Sequence, residues 1–417
     1  MKVNKWTVGL AAAGLVSLPA GLLADEATKM NQVWTALSST TISGYVDTSA
    51  QWNFGTGNAN PARYSYAAGK ADGFNLNVAK LAISKPLDEA QWAAGYQVDL
   101  LFGPDARSLN TLLDAGDQAI PMAIQQAYAA LRAPLGNGLD FKVGVFNSII
   151  GYESFDSYKN PNWTRSYGYT MEPTTHEGVL VSYQFTDWLT AQAGVANTFG
   201  PVIGERAHDP DYGRAESYKT YMGSLAFTVP KDTGFLEGST LYVGAINGLR
   251  NRSVDTDNAT GKNVTLPLTD THLYAGATLN TPVKDMKVGA AFDYAWLHAY
   301  DTAHTYNERP WEWNIAGYAS WKLAEKWSVH GRGEYYRRSE KLDNVPDVGG
   351  YYLYLLPPKA VECTFTVQYD LWKNVITRAE FRWDHAANGE RWFGGTVAGE
   401  PTRKNQYILA GNIVYQF

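Results

Sequence analysis

The chain has 417 residues, with 35 Lys and Arg against 41 Asp and Glu, one Cys, 39 Gly and 13% aromatic residues. A mild acidic excess with no basic run excludes the electrostatic footprint of a nucleic-acid binder, and a single Cys excludes a disulfide framework or a Cys-based zinc site. High aromatic content beside only 18% charged residues fits neither a helical membrane protein nor a soluble enzyme, and suits a β-rich wall with one polar side.

Lys2 and Lys5 precede an uncharged run from Trp6 to Ala24, and Asp25 and Glu26 follow at once. This is the layout of a secretory signal peptide over residues 1–24, and Pro19 and several Gly argue against a membrane anchor. Cleavage there removes two Lys and no acid, which leaves 33 basic against 41 acidic side chains and a mature charge of −8. In the segment 25–40 that follows, Met30, Val33, Trp34 and Leu37 recur at helical spacing, the mark of a short periplasmic amphipathic turn. No later apolar stretch reaches the length of a spanning helix, so a membrane location requires a closed barrel.

Residues 41–417 alternate with a period of two, the mark of strands with one apolar face. Sixteen strands are predicted, at 41–54, 73–85, 91–102, 124–134, 139–147, 175–185, 188–198, 217–230, 239–249, 268–281, 286–298, 311–322, 327–340, 359–371, 375–385 and 405–417. The second changes phase and predicts a bulge near Ala79. In VITRAEFRWDH, Arg378, Glu380, Arg382 and Asp384 share one face while Ala379, Phe381 and Trp383 share the other. Elsewhere Gln97, Asp99, Asp140, Lys142, Arg332, Glu334, Glu362, Thr364, Thr366, Gln368 and Asp370 take the inward phase, and Cys363 the outward one. Links after even-numbered strands are short and those after odd-numbered strands are long, the arrangement of periplasmic turns and outer loops. Trp92, Trp188, Trp321, Trp327 and Trp372 lie beside short turns, and Trp52, Trp296, Trp311, Trp313 and Trp383 toward the long loops, as two interfacial girdles would. The predicted fold is an all-β, antiparallel up-and-down transmembrane barrel of about sixteen strands. Its last strand ends on Phe417, as outer-membrane barrels commonly end on an aromatic residue.

Three stretches resemble the OmpL-like putative bacterial outer-membrane β-barrel porin family: SGYVDTSAQWN at 43–53, FNLNVAKLAISKP at 74–86, and a long one from IQQAYAALRAP at 124–134 through LDFKVGVFNSIIGYES and NPNWTRSY to HEGVLVSYQF at 176–185. The likeness is densest from residue 41 to about 200. GVANTFG at 194–200 departs from the Gly-Trp-type strand end expected there. The resemblance implies a pore without naming its solute.

Sixteen strands enclose an aqueous channel unless a segment folds into it. The expected function is passive diffusion of small hydrophilic solutes and ions through an outer-membrane porin. Asp99, Lys142, Arg332, Glu334, Glu362, Arg378, Glu380, Arg382 and Asp384 are the candidate lining. The third long loop, residues 148–174, is the candidate constriction, with Glu153, Asp156, Lys159, Arg165 and Tyr167; its carboxylates and Arg165 would set a field across the pore. It packs equally well outward on its own aromatics. Cross-strand ion pairs are the plainer reading of the wall charges. Ion preference does not follow from the net charge, because loop charge need not govern the narrowest section; the expected lean is toward cations.

No catalytic residue, metal site or cofactor is expected. His298 and His304 lack zincin spacing, HDPDYG at 208–213 and DTDNATG at 255–261 do not complete a calcium loop, and no GxSxG motif occurs. Two other readings stay open: a substrate-selective channel whose aromatics stack on sugar rings, and a structural or adhesive barrel with a closed lumen. The expected partners are outer-membrane lipid and the permeating solutes and ions; a homotrimer and a monomer would present the same alternation.

Overall fold

A backbone crossing a bilayer must satisfy its own hydrogen bonds, and a sheet does so only by closing on itself. The computed structural model describes residues 39–54, 70–88, 90–112, 120–207, 218–249, 253–256, 263–266, 268–300, 307–340, 356–395 and 401–417. Sixteen long strands form a closed antiparallel up-and-down barrel. They are β1 (Thr41–Asn53), β2 (Gly73–Lys85), β3 (Ala94–Phe102), β4 (Met122–Ala133), β5 (Leu139–Asn147), β6 (Thr175–Thr186), β7 (Leu189–Ala196), β8 (Thr220–Thr228), β9 (Thr240–Leu249), β10 (Leu268–Asn280), β11 (Met286–Tyr300), β12 (Trp311–Lys322), β13 (Trp327–Arg338), β14 (Lys359–Trp372), β15 (Val375–Ala386) and β16 (Asn405–Gln416). Each pairs with its chain neighbours, and β1 pairs with β16 in a register that sets Asp47 opposite Val414. Gly44 and Phe417 exchange both backbone hydrogen bonds at 3.0 Å, so the last residue of the chain completes the seam.

The observed strands follow the alternation closely, and the differences have local causes. The third begins at Ala94 rather than residue 91 because Trp92 turns the chain at φ +62°. The bulge in β2 falls at Asn77, between Val78 opposite Asp47 and Leu76 opposite Thr48, two residues before the expected Ala79. There the buried Asn77 side chain donates to Asp47 at 3.0 Å and accepts from Ser49 at 3.1 Å and Lys70 at 3.0 Å, so three polar partners fix the extra residue. The long link after β9 carries a hairpin, Ser253–Thr256 on Asn263–Leu266, that the alternation does not announce. Residues 1–38, the segment 208–217, His304 and residues 257–262 lie outside the described residues, and with them the signal peptide, most of the amphipathic segment, the acidic motif at 208–213 and most of that at 255–261.

The outward face is apolar and exposed, as at Phe365, Ile413, Ile315 and Phe381, which suits contact with lipid rather than water. Trp92, Trp188, Trp321, Trp327 and Trp372 are exposed at the short-turn ends, and Cys363 faces outward. Inside, the barrel is two-sided. On β5 to β12 an apolar group gathers Phe146, Leu180, Met222, Ile246, Tyr274 and Tyr318. On β13 to β16 and β1 to β3 buried ionic and amide-bearing positions such as Arg332, Glu362, Arg382, Asn412 and Asp47 alternate with apolar ones such as Ala360, Ile408, Val414 and Tyr45.

Candidate functional site: a loop folded into the barrel

Residues 148–174, between β5 and β6, turn into the lumen, and the sequence of the loop matches both sides of that interior. Its neck closes where the Ser148 N–H donates to the Thr174 carbonyl at 2.9 Å. Ile149 and Ile150 then enter the apolar group, and Tyr152 stacks on Tyr318 with ring centroids 4.1 Å apart. Burying two Ile and a Tyr contributes several kcal/mol at about 25 cal/mol per Å². Gly151 has φ +119°, and a Cβ there would lie 2.3 Å from the Glu172 carboxylate; only glycine permits this approach.

The polar stretch crosses to the ionic wall. The Glu153 carboxylate accepts from Arg332 at 2.8 Å and from the Ser166 N–H at 2.8 Å. Asp156 accepts from Lys80 at 3.0 Å with both oxygens, pairs with Lys159 at 2.7 Å, and accepts from the Tyr45 hydroxyl at 3.3 Å. Burial opposes its charged form, but Lys159 and Lys80 outweigh burial and hold the Asp156 carboxyl well below the usual range. Lys159 is subject to the reciprocal balance: burial lowers it, Asp156 raises it more, and the ammonium is favoured. A buried carboxylate left alone would cost several kcal/mol, so two ammoniums on one Asp fix the loop at this point.

Arg165 does something other than face a carboxylate across the pore. Its guanidinium donates to the loop's own carbonyls, at Ser154 (3.0 Å), Phe155 (2.8 Å) and Trp163 (2.5 Å). It braces the loop from within. Tyr167 opens a short helix, α1 (Tyr167–Met171), whose first turn is capped by Ser166 accepting from the Tyr169 N–H at 3.0 Å. The Tyr167 hydroxyl donates to Asp384 at 2.5 Å and its N–H to Glu334 at 2.8 Å. Burial first, then Asp384, pushes this phenol well above its ordinary range, so it remains a donor.

The wall residues receive the loop. Arg332 donates to Glu153, to the Thr164 carbonyl at 2.7 Å, to the Arg165 carbonyl at 3.2 Å, and to both Glu362 oxygens at 3.2 Å. Glu380 accepts from the N–H groups of Trp163 and Thr164 at 2.6 and 2.9 Å. Arg378 donates to the Ser157 and Asn160 carbonyls at 3.1 Å, and Arg382 to the Arg165 carbonyl at 2.6 Å and to Asp384. The expected cross-strand pairing is present for Arg332 with Glu362, whereas Arg378 takes Gln368 at 3.0 Å and the loop instead. Asp99 accepts from Lys80, Gln97 and Gln126. Asp99, Arg332, Glu334, Glu362, Arg378, Glu380, Arg382 and Asp384 are therefore buried beneath the loop or among one another. Of the nine candidate lining residues only Lys142 keeps partial exposure, with its ammonium 4.9 Å from the centre of the Tyr128 ring.

Several members of the site escape sequence reasoning. Lys80 is displaced from the simple alternation by the bulge at Asn77. Glu172 sits at the C-terminus of α1, facing Asp293, which is 2.9 Å from His272. Burial, reinforced by Asp293, raises the Glu172 carboxyl well above its ordinary range. A Cβ at Gly168 would fall 2.5 Å from Asp293 and 3.0 Å from Asn314, so the helix backbone lies directly against this cluster. Among the described residues, no three His, Cys, Asp or Glu side chains form a group suited to a metal ion.

Comparisons with known proteins agree with the barrel fold. The anion-selective porin from Comamonas acidovorans is similar in fold at 13% identity and a TM-score of 0.57, over 91% of this chain and 99% of that one. The trimer form of OmpT, an outer membrane protein of Vibrio cholerae, is similar at 11% identity and a TM-score of 0.53, over 91% and 99%. The outer membrane channel DcaP of Acinetobacter baumannii is similar at 10% identity and a TM-score of 0.53, over 91% and 97%. No curated protein matches the chain significantly in sequence. The family described as "Putative beta-barrel porin-2, OmpL-like" matches over residues 39–417, nearly the whole described barrel, and the chain belongs to it.

Proposed function

We propose that the barrel is an outer-membrane porin through which small hydrophilic solutes and ions diffuse passively, narrowed by the inserted loop 148–174. The observation that carries this reading is the loop itself, which is bonded to the wall from Arg332 on β13 round to Lys80 on β2. Such a loop narrows a sixteen-strand lumen and leaves to the solute path the wall positions it does not cover. Lys142, Tyr128, Gln97, Ser182 and Thr278 keep partial exposure there, and Lys159 on the loop is 38% exposed. Asp99 and Asp156, by contrast, are buried and occupied by donors. A permeating solute therefore meets ammonium groups, amides and phenols, while the partly exposed carboxylates of Asp140 and Asp370 are held by Arg132 and Gln368, which turns the preference toward anions and against the lean toward cations. No bond is made or broken in this process. Export through the signal peptide 1–24 belongs to the same reading, as does a homotrimer, the state named for the Vibrio cholerae neighbour.

The test is single-channel recording of the refolded protein in a planar bilayer, with reversal potential under a salt gradient. Steady steps with an anion-directed reversal are expected. A folded barrel that stays electrically silent would overturn the pore, and saturable block by sugars would establish the substrate-selective alternative.

A further inference from the structure

On the outer wall, β13 and β14 present two cations where like charges should avoid each other. Arg337 stands directly opposite Lys359 in the antiparallel register. Their chain neighbours Tyr336, Arg338 and Ala360 are buried inward, so both side chains point outward. Like charges facing across a strand pair are destabilising unless something anionic lies between them. Among the described residues neither makes an ion pair. The Arg337 guanidinium lies 5.5 Å from the centre of the Trp311 ring, a platform that orients a guanidinium while leaving its N–H groups free for an oxyanion.

Their height on the wall names the environment. Trp327 and Tyr369, opposite each other with ring centroids 4.5 Å apart, mark the short-turn end of the same two strands. Ten residues separate Trp327 from Arg337 and Tyr369 from Lys359. At about 3.3 Å per residue and a tilt of about 40°, that is a rise of about 25 Å, the height of the apolar band of such barrels. Every outward position between them is uncharged: Val329, Gly331, Gly333 and Tyr335 on β13, and Val361, Cys363, Phe365 and Val367 on β14. The cations therefore emerge where the hydrocarbon ends on the long-loop side, at headgroup level.

We propose that Arg337 and Lys359, with Trp311 beneath the guanidinium, bind the phosphate of an anionic lipid headgroup in the outer leaflet. A bidentate guanidinium and an ammonium neutralise one phosphate from two strands, and acyl chains descend along the small-residue face at Gly331 and Gly333. The inference concerns lipid and not conduction, so it stands apart from the pore reading.

The experiment measures retention of a bis-phosphorylated glucosamine-disaccharide lipid and of its dephosphorylated form by the refolded barrel, using native mass spectrometry. Wild-type protein is expected to retain the phosphorylated lipid preferentially, and Arg337→Gln/Lys359→Gln to lose about thirtyfold in retention, the ordinary contribution of two basic side chains at an anionic lipid surface. Lys322→Gln/Lys326→Gln, at the opposite rim, should leave retention unchanged. Equal retention of the two lipids by wild-type protein overturns the proposal even if the variant fails to fold. Displacement of the lipid by millimolar inorganic phosphate would also overturn it, by marking a site for the free ion.

Discussion

Arg332→Ala should release the loop without opening the barrel. In the folded chain this guanidinium supplies hydrogen bonds to Glu153 and to the carbonyls of Thr164 and Arg165, while holding Glu362 from the other side. Truncation leaves Glu153 and Glu362 without their principal cation in a buried site, a loss of about 3–5 kcal/mol. At about 1.4 kcal/mol per tenfold, the docked-to-undocked ratio of the loop falls by roughly two to three and a half orders of magnitude. The ladder between β13 and its neighbours is backbone-to-backbone and does not depend on Arg332, so heat-modifiable migration of the barrel should persist. Single-channel steps should become larger and noisier, and loop 148–174 should become cleavable by trypsin at Lys159 and Arg165. Arg332→Lys keeps the charge but loses the fork that spans Glu362 and the loop, and should fall between the two. Wild-type conductance together with wild-type protease resistance in Arg332→Ala would refute the assignment of the loop's anchorage to this residue.

Other expectations follow from the same contacts. The folded-state Glu172 carboxyl lies above its unfolded value, so its contribution to docking is complete below about pH 4, the unfolded carboxyl range, and is lost as pH rises through the raised folded value; the protection of residues 167–172 against hydrogen exchange, relative to the intrinsic rate at each pH, should fall on alkalinisation, and Glu172→Gln should abolish that fall. Gly168→Ala places a methyl group within 2.5 Å of Asp293 and should cost about 1–3 kcal/mol of loop docking, visible as tryptic cleavage at unchanged barrel stability; resistance equal to wild type would show that the helix has room to shift. Lys142→Gln removes a partly exposed wall ammonium and should move the reversal potential toward cations, and an unmoved potential would place selectivity elsewhere.

The barrel was legible because each strand states its own two faces: Arg378, Glu380, Arg382 and Asp384 alternate with apolar neighbours, and no distant residue is needed to read that. Their partners were not legible. Glu153 meets Arg332 across 179 residues, and Tyr167 meets Asp384 across 217, and no period in the sequence carries such separations. The bulge at Asn77 hid Lys80 for a related reason, since a single inserted residue reverses the phase from which inward side chains are read. Arg165 shows the opposite limit. Its charge suggested a role across the pore, but a guanidinium with five donors beside a folded-back chain finds carbonyls of that chain first.

The same contacts decide what the pore can select on. A charge that has spent its hydrogen-bonding capacity on a buried partner contributes little to the field met by a solute, because its counter-charge is within about 3 Å. Asp99, Asp156 and Glu362 are in that state, and Glu380 is occupied by the N–H groups of Trp163 and Thr164. The carboxylates beneath the loop are thus spent as the means by which loop backbone and arginines are held, and the ammoniums that stay at least partly exposed include Lys142, beside the Tyr128 ring, and Lys159, which also pairs with Asp156. Selectivity in such a channel follows from which charges are left over after the loop has docked. A variant that undocks the loop should therefore change ion preference as well as conductance, because it returns Glu153, Asp156 and Glu380 to water together with Lys80, Arg378 and Arg382; Arg332→Ala also removes one cation, so there the shift should run toward cations.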